Sequence, residues 1–425
     1  VQSRANIMQS VELALKERGG LGLACLISLD HLDLVEVAAG LETARTLRRR
    51  VHGLLRAACQ PGDVLLRRGD REFLLILPEP PEPGGAGRAA TLLAGVRACR
   101  VTSLGQEYSV AATAGVVPLA MVQPMTADRL VQLLGAALLA AREAPGGIMV
   151  CAGPGAGVVS DVEIGARLLC DLPQAIRDDR LALFAQEIRN LAPGAAPGVH
   201  YEVLSYLVDR SGQLHPPARF IGAAERTGLI GVLDRWVIRS ALVGHADLLR
   251  AAPQVVLSLN LSGRSLADPA LWPYLRDTIA EAGIDAGRLT FEITETWEID
   301  DVPVAQANVA AARAAGCRVA LDDFGAGLSG FGYLRRFAPD SLKIDGGLIP
   351  RVADPGSVDA AIVESVVLLG RRLGISIVAE HVDHPDILKA VRALGVDKAQ
   401  GFLIGQPVPF RKMLEDSSTY DRKFE

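Results

Sequence analysis

The chain has 425 residues, 49% of them apolar, with 44 basic against 49 acidic side chains and a net charge of −5. That length is too great for one ordinary compact domain and suits two, each with apolar residues enough for its own core. The acidic balance argues against genomic DNA or an anionic membrane held by bulk positive charge, but is compatible with a small anion held through metals.

No apolar run reaches bilayer length, and the longest, Leu130–Ala141, reads as a buried helix. There is no secretory signal, and Val1 in place of Met leads us to expect a piece of a longer protein. The cysteines at 25, 59, 99, 151, 170 and 317 form no C-x-x-C pair. That spacing fits reduced core thiols and a cytoplasmic protein, or the cytosolic part of a longer sensor.

In chain order, Leu21–Leu29 reads as a strand and Glu42–Ala58 as a helix. Val64–Leu66 and Phe73–Leu77 read as a hairpin whose turn, Arg67–Glu72, is unusually charged. The Pro/Gly-rich stretch Pro78–Gly87 reads as a surface loop. Helix Ala89–Arg100, strand Tyr108–Val116, helix Ala127–Glu143 and the short strand Ile148–Cys151 follow. This order predicts an α/β sandwich over residues 1–155. The Gly/Pro-rich segment Ala144–Gly157 places a boundary near Val158, with the second domain over 160–425.

That second segment carries eight strand-like runs: Leu181–Ile188, Tyr201–Val208, Val255–Leu261, Leu289–Ile293, Arg318–Leu321, Ser341–Ile344, Ser376–Ala379 and Lys398–Phe402. Helical patterns lie between most of them, among them Trp236–Leu249, Pro303–Ala315, Ser357–Leu373 and Ile387–Leu394. The count and spacing predict a TIM-like (β/α)8 barrel. The first two runs are joined by the Pro/Gly loop Ala192–Gly198 without a helix, so one strand is expected to run antiparallel.

A barrel of this kind builds its active site at the C-terminal ends of its strands. Those ends carry Glu202, Asn260, Glu292, Asp322-Asp323, Lys343, Asp345 and Glu380, on strands whose alternate positions are apolar. A lone acid at a strand end is usually solvated or capping, but five on successive strands repel one another and are costly to desolvate. Divalent cations remove that conflict, and oxygen-only ligands favour Mg2+ or Mn2+ over zinc. Two metals sharing one Asp suit a phosphodiester displacement.

The residues Glu202-Val203-Leu204, Asn260-Leu261-Ser262, Glu292-Ile293-Thr294-Glu295, Asp322-Asp323-Phe324-Gly325, Lys343-Ile344-Asp345, Ala379-Glu380 and Gln400-Gly401-Phe402 occur in this order. With Phe220–Leu229, they make Asp161–Phe410 resemble the EAL-domain cyclic di-GMP phosphodiesterases. The resemblance implies two metals, one on Glu202, Asn260, Glu292 and Asp322, the other on Asp322, Asp323 and Glu380. It implies water as nucleophile, Lys343 to orient or deprotonate it, and Glu295 to brace the loop after Asp323. Gln186, Leu204, Asp345 and Gln400 would line the substrate site, the product would be linear pGpG, and a homodimer is expected. A lysine among cations is expected to have a depressed pKa.

This chain departs from the family pattern in places. Tyr206 stands where the family has an Arg on a substrate phosphate, and an uncharged phenol cannot make that bidentate contact. The loop DDFGAGLSGFG over Asp322–Gly332 and the run Glu380-His381-Val382-Asp383 also differ from the family. His381 and His384 read as surface or capping residues, with zinc binding the less favoured reading.

The turn Arg67–Phe73 resembles the GGDEF turn of diguanylate cyclases, in degenerate form: Asp70 replaces a Gly and Arg71 the metal-binding Asp. Ser28 and Asp33 fall where a metal Asp and a Lys are expected, and Gln60 and Asp63 at the inhibitory site. The resemblance implies a first domain without synthesis activity; alternatives are a GTP-binding regulatory module or a structural spacer. For the whole chain, the alternative to an enzyme is a cyclic di-GMP receptor acting on a protein partner.

Overall fold

The computed structural model describes residues 4–18, 21–78, 87–103, 105–121, 125–151, 158–192, 200–294, 299, 301–325, 330–354 and 356–420. The chain forms two compact units, Val1–Arg167 and Leu168–Glu425, and the division falls inside the helix Val158–Arg177.

The first unit is built on a five-stranded sheet, in the order Val64–Arg68, Glu72–Leu77, Leu23–Asp30, Ala111–Pro118, Ile148–Val150. Its pairings are antiparallel except the last. Leu23–Asp30 is apolar at nearly every position because both its faces are covered. Cys25, Ile27 and Leu29 pack with helices Leu41–Ala58 and Gly87–Ala98, while Ala24 and Leu26 pack with Arg4–Arg18 and Ala127–Glu143. Gly115 lets the helix Ala127–Glu143 approach its strand: a Cβ there would lie 2.5 Å from Leu138 N.

The sequence pattern missed the helices Arg4–Arg18, Leu32–Ala39 and Val158–Arg177. The expected strand Tyr108–Val116 begins at Ala111, because Gln106–Tyr108 pairs instead with Val101–Ser103. The charged turn is a true hairpin: Gly69 takes φ +70°, and Arg68 meets Glu72 at 3.3 Å across it.

The second unit is the expected barrel. We number its strands β1 (Leu181–Glu187), β2 (His200–Val208), β3 (Val256–Leu261), β4 (Leu289–Thr294), β5 (Arg318–Phe324), β6 (Ser341–Ile344), β7 (Ser376–Ala379) and β8 (Lys398–Ala399). β1 is antiparallel to β2, and β2 through β8 run parallel. The chain just beyond β1, Arg189–Asn190, pairs antiparallel with β8 and closes the ring. Alternation sets the walls: Leu257, Leu259 and Leu261 of β3 are buried on one face, and Ser258 and Asn260 lie on the other.

The expected helix Trp236–Leu249 is two, Ile230–Leu242 and Ala246–Ala251, with the break at Gly244, where a Cβ would lie 2.6 Å from Ser240 O. β8 is shorter than expected because Gly401 turns the chain against the backbone of Val382.

Candidate active site

Four carboxylates converge on one buried ammonium. Lys343, on β6 and 2% exposed, places Nζ 2.7 Å from Glu292 Oε2, 2.7 Å from Glu380 Oε1, 3.2 Å from Asp322 Oδ2 and 3.3 Å from Glu202 Oε2. Period-2 alternation on strands in register aims these side chains inward together: Asn260 stands opposite Glu292 on a parallel pair, and Glu202 opposite Gln186 on the antiparallel one.

Alternation alone would send Asp322 and Asp323 to opposite faces. The register of β5 against β6 shifts between Leu321 and Phe324, and Asp323 takes φ +53°. This bulge turns both acids to one rim, where Asp322, Asp323 and Glu380 each offer an oxygen within 4.8 Å of the others.

Glu202 is the most strongly held acid. Asn260 Nδ2 donates to its Oε1 at 2.7 Å and Gln400 Nε2 to its Oε2 at 2.7 Å. Burial pushes its carboxyl upward, but Lys343, Gln400 and Asn260 outweigh that and hold it below the usual range. Glu292 goes the other way, up to about 8, through burial and then the charges of Glu202 and Asp322, only partly offset by Lys343. Burial likewise raises Asp322 and Glu380, and burial with the Asp322 and Asp345 charges takes Asp323 to about 6.

The depressed pKa expected of Lys343 applies to a lysine among bound cations; without them its surroundings act the other way. Burial alone would lower it, but four carboxylates in contact raise it well above its ordinary value, so it is an ammonium here. Five acids share one ammonium, and the raised carboxyls of Glu292, Asp322, Asp323 and Glu380 mean that ionising them all calls for more positive charge than Lys343 brings.

The donor set fits divalent cations. It is all oxygen, and Glu292 Oε2 is buried without a well-directed hydrogen bond although Nζ is near it. Asn260 gives its amide nitrogen to Glu202, so among the described residues its amide oxygen is the atom left for a ligand role.

The other expected residues surround this centre. Gln186 accepts from Gln400 Nε2 at 3.2 Å and donates to Gly405 O at 3.1 Å, and Gln400 Oε1 is buried without a hydrogen-bond partner among the described residues. Leu204 lines a cavity of about 400 Å³ together with Glu202, Asn260, Asp322 and Asp323. Asp345, just past β6, accepts from Gly347 N at 2.9 Å. Glu295 lies outside the described residues, as do 326–329 of the altered loop.

Tyr206 shares the Glu202 and Leu204 face of β2, and its ring packs on Phe184 at 4.3 Å between centroids. Sequence reasoning missed Asp234, a buried acid lining the same cavity. It accepts from Ser262 N, Ser262 Oγ and Ser265 Oγ at 3.1, 2.6 and 2.7 Å, and burial raises its carboxyl. An acid inside the apolar run Ile230–Leu242 was its only sequence signal. His384 is a capping residue, its Nδ1 accepting from Asp386 N at 3.3 Å.

The EAL domain family matches residues 169–407. The chain belongs to the EAL domain family. Within its relatives, the cyclic di-GMP phosphodiesterase PdeB of Shewanella oneidensis is 34% identical over 248 residues, covering 58% of this chain and 29% of PdeB. The solved PaMucR phosphodiesterase in complex with c-di-GMP is 32% identical, with TM-score 0.53, over 58% of this chain and 99% of that one. The Vibrio cholerae LapD S helix-GGDEF-EAL structure, bound to c-di-GMP, shares the fold over 94% of this chain and 93% of its own, at TM-score 0.64 and 20% identity. The unit before the EAL domain thus shares the fold of a GGDEF domain. The chain spans less than half the length of curated relatives such as PdeB and y4lL of Sinorhizobium fredii.

In the GGDEF-like domain Arg71 meets Asp33 at 3.4 Å, and the fully buried Asp63 carboxylate is paired with Arg88. Among the described residues, no helix is long and apolar enough to cross a membrane.

Proposed function

We propose that the barrel hydrolyses cyclic di-GMP to linear pGpG with two Mg2+ or Mn2+ ions. The observation that carries this reading is the cluster of five acids around Lys343 at the C-terminal rim of the barrel. Glu202, Asn260, Glu292 and Asp322 would hold one ion; Asp322, Asp323 and Glu380 the other. Bound there, the ions would supply positive charge to the phosphodiester and to the attacking water.

The chain's own residues prepare that site. Lys343 keeps four mutually repelling carboxylates together at contact distance and is placed to orient water. Asn260 and Gln400 fix the rotamer of Glu202. Gln400 Oε1 is left to accept from a ligand, Leu204 supplies an apolar wall, and Asp345 and Gln186 flank the rim. We assign Glu295 the bracing role implied by the family, and a homodimer as the working assembly.

The GGDEF-like domain is read as regulatory, without cyclase chemistry, since an arginine occupies the metal-ligand position of its turn. GTP is its candidate ligand.

A second reading is a receptor that binds cyclic di-GMP without cleaving it. The Phe184–Tyr206 pair favours it, because an uncharged, tilted aromatic pair fills a position where the family binds phosphate. The experiment is to incubate the chain, and Glu202→Ala beside it, with cyclic di-GMP and Mg2+ or Mn2+ and separate the products by chromatography. Metal-dependent pGpG from the wild type alone supports the enzyme; binding without pGpG at any metal concentration supports the receptor.

A further inference from the structure

The residue after Glu380 has an unusual backbone. His381 takes φ +48°, a left-handed conformation that is strained for a residue with a Cβ. The ring is exposed, so burial of apolar surface does not hold it there. Its neighbours do. On one side, Val382 is buried, donates its N–H to Gln400 O at 2.9 Å and accepts from Leu403 N at 3.2 Å. On the other, the imidazole lies directly on Gly346, the residue after Asp345.

A Cβ on Gly346 would lie 2.6 Å from Nδ1 and 2.7 Å from Cγ of His381. Gly346 is not among the positive-φ glycines, so what excludes a side chain there is the ring and not the backbone. The seat of the ring therefore depends on Gly346 having no side chain.

This contact joins two strand ends of the acidic cluster. Glu380 stands one residue past β7, beyond the ladder that fixes Ala379. Its direction is thus set by the loop together with its 2.7 Å contact to Lys343 Nζ. It must approach Asp322 and Asp323 to within 4.8 Å, against their repulsion. Asp345 stands likewise one residue past β6.

We propose that His381 and Gly346 form a clamp between the loops after β7 and β6 that sets the position of Glu380 for divalent-cation binding. His381 is then a positioning residue, and the inference rests on the metal reading given above.

The test is Mn2+ titration calorimetry on the full chain, with thermal unfolding alongside, for wild type, His381→Gly, Gly346→Ala and the double variant. His381→Gly is expected to weaken Mn2+ binding by about threefold while its unfolding temperature stays level or rises, because the strain is gone. A merely structural residue would move both readings down together. Gly346→Ala, forcing the ring out, is expected to weaken binding by about tenfold, and the double variant to return to the His381→Gly level, the non-additivity of residues in contact. Should Gly346→Ala fail to fold, recovery of folding in the double variant shows the same coupling. Wild-type Mn2+ binding that all variants match, or additive losses in the double variant, overturns the clamp. A wild type that binds no Mn2+ overturns the metal reading and the clamp together.

Discussion

Lys343 Nζ and Glu380 Oε1 meet at 2.7 Å in the barrel interior, from adjacent parallel strands. With Glu202, Glu292 and Asp322 they make a cage in which one ammonium is shared by four carboxyl groups. Lys343→Met should therefore destabilise the metal-free protein by about 3–5 kcal/mol, the cost of leaving buried charges uncompensated. Saturating Mn2+ should restore most of it. Urea unfolding with and without the metal checks this; equal losses in both conditions would contradict it.

The metal-free barrel should become less stable as pH rises. Glu292 titrates near 8 and Asp323 near 6 in the folded chain, against ordinary values of 4.5 and 3.8. A carboxyl raised on folding binds its proton more tightly in the native state, so its penalty grows between the unfolded and the folded pKa. Unfolding temperature should thus fall from about pH 4.5 to about pH 8 without metal. Bound divalent cations, which favour the ionised acids, should flatten that slope. Scanning calorimetry over this range in chelator and in Mn2+ reads the difference.

Tyr206→Arg should strengthen cyclic di-GMP binding by about 1.5–3 kcal/mol, the worth of a charge-assisted contact. It also breaks the 4.3 Å packing with Phe184, so Phe184 must move aside. Equilibrium titration at low and high salt decides: the gain should shrink as salt rises. An arginine variant with wild-type affinity at low salt would show that the phosphate lies elsewhere.

Asp234→Ala should cost about 1–3 kcal/mol of stability, because it strands the hydroxyls of Ser262 and Ser265 and the Ser262 N–H. Asp234 lines the same cavity as Glu202 and Asn260, so affinity for cyclic di-GMP should fall as well. The chemical-denaturation midpoint and a binding isotherm on the same preparation separate the two effects.

The barrel was legible in the sequence because its strands must alternate. Period-2 patterning with a polar residue near each strand end marked β3, β4 and β6, and placed Asn260, Glu292 and Lys343 on one face of their strands. The loop without a helix between β1 and β2 gave the antiparallel strand for the same local reason. Among the helices missed, Arg4–Arg18 has little amphipathic pattern, Leu32–Ala39 is short, and Val158–Arg177 follows a Gly/Pro-rich stretch.

The sequence by itself determined which residue types meet at the rim: acids, one amide and one lysine, on successive strands of an EAL domain. Only the tertiary structure decided their state. The bulge that aims both Asp322 and Asp323 inward is a mismatch between two strands and has no signature within one. Lys343 is an ammonium because carboxylates from four other strand ends surround it, and electrostatics of that kind depends on distance through space, not along the chain. The seat of His381 on Gly346 likewise joins residues far apart in sequence, and its strain exists only where two loops meet.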